Sequence, residues 1–167
     1  MEDVNKNLRA AFEGESKASR KYMAYARNAE KDGFPNVARL FRAAAEAETV
    51  HAIRDLNALG ENRTTEENLG TAIAGETYEV NEMYPSFLQG LDPEAQAAAY
   101  KAFDYARQVE VVHAKLYKEA LEQVRAGKDL PKRAMFVCPY CGYTCYDEAP
   151  DPCPVCGGAK ASFLAIA

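Results

Sequence analysis

Glu48-Thr-Val-His51 and Glu110-Val-Val-His113 are the two stretches that determine the fold of this chain of 167 residues. The chain has 2 histidines, and each stands three residues after a glutamate. Residues three apart on a helix share a face, so each motif directs a carboxylate and an imidazole to one point. Two such motifs, with one further glutamate from each of two other helices, predict a carboxylate-bridged di-iron site in a four-helix bundle.

Composition limits the class of protein. The length allows one core, or a medium domain with a small appendage. The net charge of -5 argues against nucleic acid or an anionic membrane as the main partner. No apolar run is long enough to cross a bilayer, and the polar start Met1-Glu-Asp-Val-Asn5 does not have the pattern of a secretory signal. We therefore expect a cytoplasmic protein that binds neither nucleic acid nor membrane.

Residues 1–130 are rich in helix-forming residues and poor in glycine and proline, which predicts helix almost throughout. Thr65 and Asp92 are the predicted N-caps of the third and fourth helices, and Pro93 suits a first helical position. Gly60 suits the position after the second helix. The four predicted helices span residues 4–32, 36–59, 65–89 and 93–126.

Each predicted helix carries a glutamate near its middle, in line with apolar residues. On the first helix the stripe that includes Leu8, Phe12 and Tyr22 leaves Glu15 on the core side, whereas Glu13 falls away from it. Inward carboxylates are costly without compensation, but metal ions reverse that cost. Carboxylates combined with imidazoles suit iron or manganese. The predicted ligands are Glu15, Glu48, His51, Glu76, Glu79, Glu110 and His113.

The C-terminal tail, residues 134–167, contains all 5 cysteines of the chain. Cys138-Pro-Tyr-Cys141-Gly and Cys153-Pro-Val-Cys156-Gly form two CPxCG motifs, which predict one tetrahedral metal held by four thiolates. From spacing alone the metal is either iron or zinc. Cys145 breaks the pattern and is predicted not to be a ligand. Residues 136–137 and 163–164 are predicted to form short strands that bracket the cysteines.

Taken together, these residues resemble the rubrerythrin family over essentially the whole chain. The resemblance rests on Glu15, Glu48-x-x-His51, Glu76-x-x-Glu79, Glu110-x-x-His113 and the two CPxCG motifs. It implies a mainly α fold, with a ferritin-like di-iron four-helix bundle over residues 1–130. It also implies a small rubredoxin-like Fe(Cys)4 domain over residues 134–167.

The resemblance further implies a non-haem di-iron peroxidase that reduces hydrogen peroxide to water in oxidative stress defence. Its cofactors would be two Fe ions in the bundle and one Fe ion in a four-cysteine site. Electrons from a reduced nicotinamide would pass through a reductase or a rubredoxin and enter at the tail. The ligands of the four-cysteine site would be Cys138, Cys141, Cys153 and Cys156.

Residue roles follow from the same resemblance. Glu48 and Glu110 would bridge the two ions, and the other five predicted ligands would be terminal. One iron would move between His51 and Glu79 when its oxidation state changes, and Glu79 separates this pattern from the ferritins. The catalytic residues would then be His51, Glu79, Tyr22 and Tyr84. For the two tyrosines, which would hydrogen-bond around the site, ordinary core packing is an equally good interpretation.

The short link between the second and third helices conflicts with this topology. A ferritin-like bundle needs a long crossover there, yet only residues 60–64 lie between the predicted helices. Five residues span at most roughly 18 Å. The ligands lie ~16 Å inside each helix end, so a crossover within one chain would have to cover ~30 Å. Either the helices fray, or helices of two subunits combine. We hypothesise a domain-swapped homodimer.

Two other functions remain open at this point. A ferroxidase or iron-storage protein would explain the bundle but would leave the four paired cysteines unexplained. A scaffold whose tail is a zinc ribbon for a partner would explain the cysteines, but the seven predicted bundle ligands oppose it.

Overall fold

The computed structural model describes residues 2–167, and the mainly α fold predicted from the sequence is confirmed. The chain divides into two compact units. The first ends at Arg63, and the second runs from Thr64 to Ala167. Within the described residues, no helix is both long enough and apolar enough to cross a membrane.

The first unit is a helical hairpin of α1 (Glu2–Lys31) and α2 (Pro35–Ala58). The turn between them uses Gly33 at a φ of 82°, a left-handed conformation that favours glycine. Pro35 then begins α2, where its missing N–H costs nothing. The hairpin contains a small buried cluster of Ala26, Ala29 and Ala38 with Phe41 packed against it.

The link between the units is short and well defined. Helix α2 ends at Ala58, and α3 (Thr65–Tyr78) begins after residues 59–64. The side chain of Thr64 accepts a hydrogen bond from the backbone N–H of Glu67, and the Glu67 carboxylate accepts one from the N–H of Thr64. This capping box makes Thr64 the N-cap, so the predicted cap at Thr65 was wrong by one residue.

The third predicted helix is interrupted where it passes Glu79. After α3 the chain forms a π-helix (Glu79–Met83) and then a short helix, α4 (Tyr84–Leu88). Pro85 has no N–H to donate to the carbonyl four residues earlier, and its ring crowds that carbonyl. The wider π turn accommodates this, because the N–H of Tyr84 donates to the carbonyl of Glu79 instead.

Helix α5 (Ala97–Arg125) begins four residues later than predicted. Asp92 acts as a cap, since its Oδ1 accepts hydrogen bonds from the N–H groups of Glu94 and Ala95 at 2.8 and 3.0 Å. What it caps is a separate turn over residues 93–96. Gln96 has a non-helical ψ of 34°, which breaks that turn from α5. Helix α5 packs along α3, burying Val109 on the way.

The tail contains a three-stranded antiparallel sheet in the order β2-β1-β3. The strands are β1 (Met135–Val137), β2 (Thr144–Tyr146) and β3 (Leu164–Ile166). The strand predicted at residues 136–137 lies within β1, whereas the one predicted at 163–164 overlaps β3 by one residue. Strand β2, which follows the first cysteine pair, was not predicted from the sequence. In its register Phe136 pairs with Cys145 on one side and Ala165 on the other.

Candidate metal centres

The first unit brings together three of the predicted ligands, which we call the first half-site. Glu15 comes from α1, and Glu48 and His51 come from α2. Their ligand atoms lie within 4.8 Å of one another. The Nδ1 atom of His51 is 2.9 Å from Oε2 of Glu48, as expected for residues three apart on a helix. The His51 side chain is 54% exposed.

The two carboxyl groups of the first half-site have pKa values that are shifted in opposite directions. A hydrogen bond to Glu48, then burial and the charge of Glu48, raise the pKa of Glu15. The hydrogen bonds from His51 and from Glu15 lower the pKa of Glu48. Glu48 therefore loses its proton more readily than Glu15, which suits a carboxylate that binds a cation.

The second unit repeats this arrangement in a second half-site. Glu76 comes from α3, Glu110 and His113 come from α5, and their ligand atoms also lie within 4.8 Å of one another. The Nδ1 atom of His113 is 2.7 Å from Oε2 of Glu110 and 3.9 Å from Oε1 of Glu76. The His113 side chain is 26% exposed, about half as much as that of His51.

Burial governs the electrostatics of the second half-site. It raises the pKa of Glu76 to about 7, with further contributions from a hydrogen bond to Glu110 and from the charges of Glu110 and Glu79. A carboxyl group that keeps its proton near neutral pH avoids placing a second charge beside Glu110. A divalent or trivalent ion at the same point would replace that proton, because it becomes the largest local charge.

Glu79 lies beside the second half-site rather than within it. It is the first residue of the π-helix and is not one of the three clustered groups. Burial and the charge of Glu110 raise the pKa of Glu79, while the charge of His113 lowers it. The Glu79 carboxyl group therefore interacts electrostatically with both neighbours. Isolated π turns are frequent at functional sites. The structure therefore provides an additional carboxylate close to the cluster.

The two tyrosines named from the sequence have different surroundings. Burial and then the charges of Glu79, Glu110 and Glu76 raise the pKa of Tyr84, which keeps its phenol protonated beside the carboxylates. Tyr22 instead contacts the rings of Tyr25 and Phe41, at centroid separations of 6.2 Å each.

The tail brings four cysteines together with the geometry of a metal site. The separation of Sγ atoms is 3.6 Å for Cys138 and Cys156, and 3.6 Å for Cys141 and Cys153. A tetrahedron with metal–sulfur bonds of ~2.3 Å has edges of ~3.8 Å, so one ion fits at the centre. All four sulfurs lie within 4.8 Å of one another.

The protein environment shifts the pKa values of thiols in this cluster in different directions. Burial alone would raise the pKa of Cys138, but the backbone N–H groups of Tyr140 and Cys141 and the neighbouring thiols outweigh it and lower that pKa. Burial raises the pKa of Cys141 and Cys156, so a cation is needed to keep them as thiolates.

Cys145 stands apart from the four clustered cysteines, as the sequence predicted. It is not among the clustered sulfurs, and its thiol donates to the carbonyl of Glu148 at 3.7 Å. Burial raises the pKa of Cys145, which favours the protonated, less reactive form.

The tail contacts the second half-site within the same chain. Oγ1 of Thr144, the first residue of β2, lies 3.1 Å from Nε2 of His113. A Cβ added to Gly142, which follows the first cysteine pair, would meet Cγ1 of Val109 on α5 at 3.7 Å. The sequence contains no signal for Thr144, because a threonine in a short strand is ordinary and its contact with α5 is long-range.

Comparison with known proteins decides the family. A family model described as Rubrerythrin matches residues 6–121 of the chain. Rubrerythrin-2 of Clostridium acetobutylicum is 35% identical, covering 95% of this chain and 94% of that protein. The chain belongs to the rubrerythrin family. Nigerythrin of Nitratidesulfovibrio vulgaris is another similar protein, 34% identical over 95% of this chain and 84% of its own length.

Solved structures agree with this rubrerythrin-family assignment. A nigerythrin in a mixed-valence state superposes with a TM-score of 0.56 at 32% identity, covering 98% of this chain and 86% of that one. A fully reduced, all-ferrous nigerythrin gives a TM-score of 0.57 with the same coverage. The predicted combination of a ferritin-like fold and a rubredoxin-like cysteine site is therefore confirmed.

The cofactors follow from the family together with the two kinds of ligand. The Glu and His groups suit a di-iron carboxylate site, and the four cysteines suit one iron. The chain is accordingly a di-iron oxidoreductase of the peroxidase type involved in oxidative stress defence. The zinc-scaffold and iron-storage interpretations do not explain both sites.

Proposed function

We propose that this chain reduces hydrogen peroxide to water with electrons that come from NAD(P)H through a reductase or a rubredoxin. The observation that carries the proposal is the arrangement of the second unit. There the additional carboxylate Glu79 lies beside a Glu/Glu/His cluster, and the four-cysteine site contacts the helix that bears His113. The first feature suits peroxide reduction, and the second suits electron resupply.

The proposed ligand roles follow the two half-sites. Glu48 and Glu110, whose Oε2 atoms lie beside Nδ1 of the histidine three residues later, would be the bridging carboxylates. Glu15, Glu76 and His113 are assigned as terminal ligands. His51 and Glu79 are assigned as alternatives for one iron, because His51 is the more exposed imidazole and Glu79 lies just outside its cluster.

When bound, two irons would supply the two electrons that, with two protons, convert one hydrogen peroxide molecule into two waters. The chain's own groups support that chemistry in distinct ways. The carboxylates neutralise the positive charge of the site. Tyr84 keeps its phenolic proton and can donate a hydrogen bond near Glu79. The Tyr84 ring contacts the rings of Phe87 and Phe103, at centroid separations of 6.2 and 6.3 Å.

A coupled assay with matched cysteine variants tests the electron route. NADPH or NADH oxidation is followed with peroxide, a rubredoxin reductase and rubredoxin, using the wild-type chain, Cys138→Ser and Cys145→Ser. We expect peroxide-dependent oxidation with the wild type and Cys145→Ser and background with Cys138→Ser. Equal rates for all three proteins would show that electrons do not enter through the four-cysteine site.

We also propose a domain-swapped homodimer, in which Glu15, Glu48 and His51 of one chain complete the site of a second chain. The fraying alternative loses its support, because α2 continues to Ala58 and a capping box begins α3. Only residues 59–64 link the two helices. A ferritin-like bundle requires a long crossover at this point, which two chains together can avoid.

Complementation tests the swap. His51→Ala removes a ligand from the first half-site, and His113→Ala removes one from the second. The two variant chains are unfolded together and refolded as a mixture. In a swapped dimer each mixed pair regains one complete site, so about a quarter of wild-type activity returns. Recovery of no activity, with mixed dimers detected by mass spectrometry, would mean that each chain builds its own site.

The redox state of the cysteines favours a reducing compartment. All five are free thiols, and four of them serve a metal site rather than a disulfide framework. Disulfides are rare in the cytosol. We therefore propose that the protein works in the cytoplasm, which cell fractionation with an antibody would test.

A further inference from the structure

Thr144 is placed between the four-cysteine tail and a ligand of the second half-site. Its hydroxyl donates a hydrogen bond to the carbonyl of Gly142 at 3.1 Å. The same oxygen lies 3.1 Å from Nε2 of His113. A hydroxyl has one proton to give, and here that proton is directed to Gly142. The oxygen can then only accept from His113, which requires the proton of the imidazole to be on Nε2.

The position of that proton decides what the other ring nitrogen can do. A neutral imidazole with its proton on Nε2 has a lone pair on Nδ1. Nδ1 of His113 is the atom that faces Oε2 of Glu110 and Oε1 of Glu76. A lone pair directed at two carboxylates is unfavourable unless a cation lies between them. The hydrogen bond of Thr144 therefore favours the tautomer that binds a metal.

Apolar side chains lie around this hydrogen bond. His113 and Thr144 both line a cavity of about 360 Å³ whose other walls include Leu116, Met135 and Val137. The bond is also tied to the cysteines, because the N–H of Cys138 donates to the carbonyl of Tyr143 at 2.9 Å, next to Thr144.

We propose that Thr144 is a positioning residue that holds His113 in its metal-binding tautomer and joins the four-cysteine domain to the di-iron ligand within one chain. The inference rests on the proposed function only in requiring a metal on Nδ1 of His113. It distinguishes the two histidines. The contact between Nδ1 and a glutamate is common to both, whereas the contact between Nε2 and a threonine is found for His113.

The test uses the full chain loaded with zinc, which is diamagnetic, so that the ring protons of 2 histidines can be assigned by nuclear magnetic resonance. In the wild type we expect the Nε2 proton of His113 to be hydrogen-bonded and to exchange slowly with water. Thr144→Val keeps the β-branched shape that suits a strand but removes the acceptor. That variant should lose the slow exchange, and Thr144→Ser should keep it.

Metal affinity provides the second readout. Loss of a partner that orients a metal-binding histidine weakens affinity by about 10- to 100-fold. We expect a loss of that size in chelator competition for Thr144→Val but not for Thr144→Ser. Thr71→Val is the matched control, because the Thr71 hydroxyl donates a hydrogen bond to the carbonyl of Glu67 on the exposed side of α3.

The outcomes separate this inference from the proposed function. Wild-type affinity and unchanged exchange in Thr144→Val would overturn the role of Thr144, whatever the activity. If Thr144→Val loses slow exchange and metal affinity as expected but the wild type does not reduce peroxide, only the peroxidase assignment is overturned. If zinc does not occupy the His113 site in the wild type, the metal-binding role of Nδ1 is wrong, and the inference about Thr144 fails with it.

Discussion

The two half-sites contain the same residue types in the same order but differ in how firmly each histidine is held. In the first, His51 is 54% exposed and contacts Glu48 through Nδ1. In the second, His113 is 26% exposed, makes the equivalent contact with Glu110 and is also held through Nε2 by Thr144. The two histidines therefore differ in exposure and contacts in the way that the proposed movable and fixed ligands require.

The neighbouring groups extend this contrast. Glu79, placed by a π-helix, gives the second half-site an additional carboxylate, and burial gives Glu76 a pKa of about 7. The first half-site has a hydrogen-bonded carboxyl pair, in which the bond to Glu48 raises the pKa of Glu15. The second unit thus contains both Glu79 and the contact between the four-cysteine tail and His113.

The largest expected effect concerns electron entry beside the second half-site. Cys138→Ser removes a buried metal ligand, so reductase-coupled turnover should fall to background. Direct oxidation of the chemically reduced di-iron centre by peroxide should persist. Stopped-flow absorbance measures both. Loss of both reactions would mean that the tail is needed for the structure of the bundle rather than for electron supply.

Removing each histidine in turn tests whether the ligands are unequal. His113→Ala should lower iron affinity on the order of 100-fold, because we propose no other residue that binds iron in its place. His51→Ala should lower it only about tenfold, because Glu79 can take its place. Iron content after chelator competition measures the difference. Equal losses would contradict the division into fixed and movable ligands.

Glu79→Ala should keep iron in the protein and slow reoxidation by peroxide by about tenfold, since one alternative ligand and its charge are lost. The reaction should shift toward slow oxidation by oxygen. Glu82→Ala, an exposed position on the same π-helix, is the control. Stopped-flow traces that match the wild type would remove Glu79 from the mechanism.

The smallest expected effect is a pH dependence of the metal-free protein. Glu76 has a pKa of about 7 when folded against an ordinary value of 4.5, so between these values the native state binds more protons than the unfolded state. Its contribution makes the free energy of unfolding fall as pH rises from about 4.5 to about 7. Urea unfolding with chelator should show a shallower fall for Glu76→Gln than for Glu82→Gln.

Much of the site could be predicted because its ligands follow local rules. The ExxH spacing places Glu48 beside His51 and Glu110 beside His113 in any helix, and the CPxCG spacing brings the cysteines together. These groupings need only helix geometry and turn chemistry.

What the sequence could not predict depends on competition between neighbouring groups or on long-range contacts. The π-helix arises where Pro85 withdraws a donor from an otherwise regular helix. The delayed start of α5 reflects a separate turn capped by Asp92. The contact of Thr144 with His113 joins residues 31 apart, beyond the reach of any periodic pattern.

Peroxide reduction itself is tested by reducing the whole protein without oxygen, adding one equivalent of hydrogen peroxide and following both iron centres by stopped-flow spectroscopy. We expect rapid oxidation of the di-iron centre, followed by the appearance of the red colour of the ferric four-cysteine iron as its electron moves to the bundle. Peroxide that leaves both centres reduced, while oxygen oxidises them readily, would contradict the peroxidase assignment and identify a ferroxidase instead.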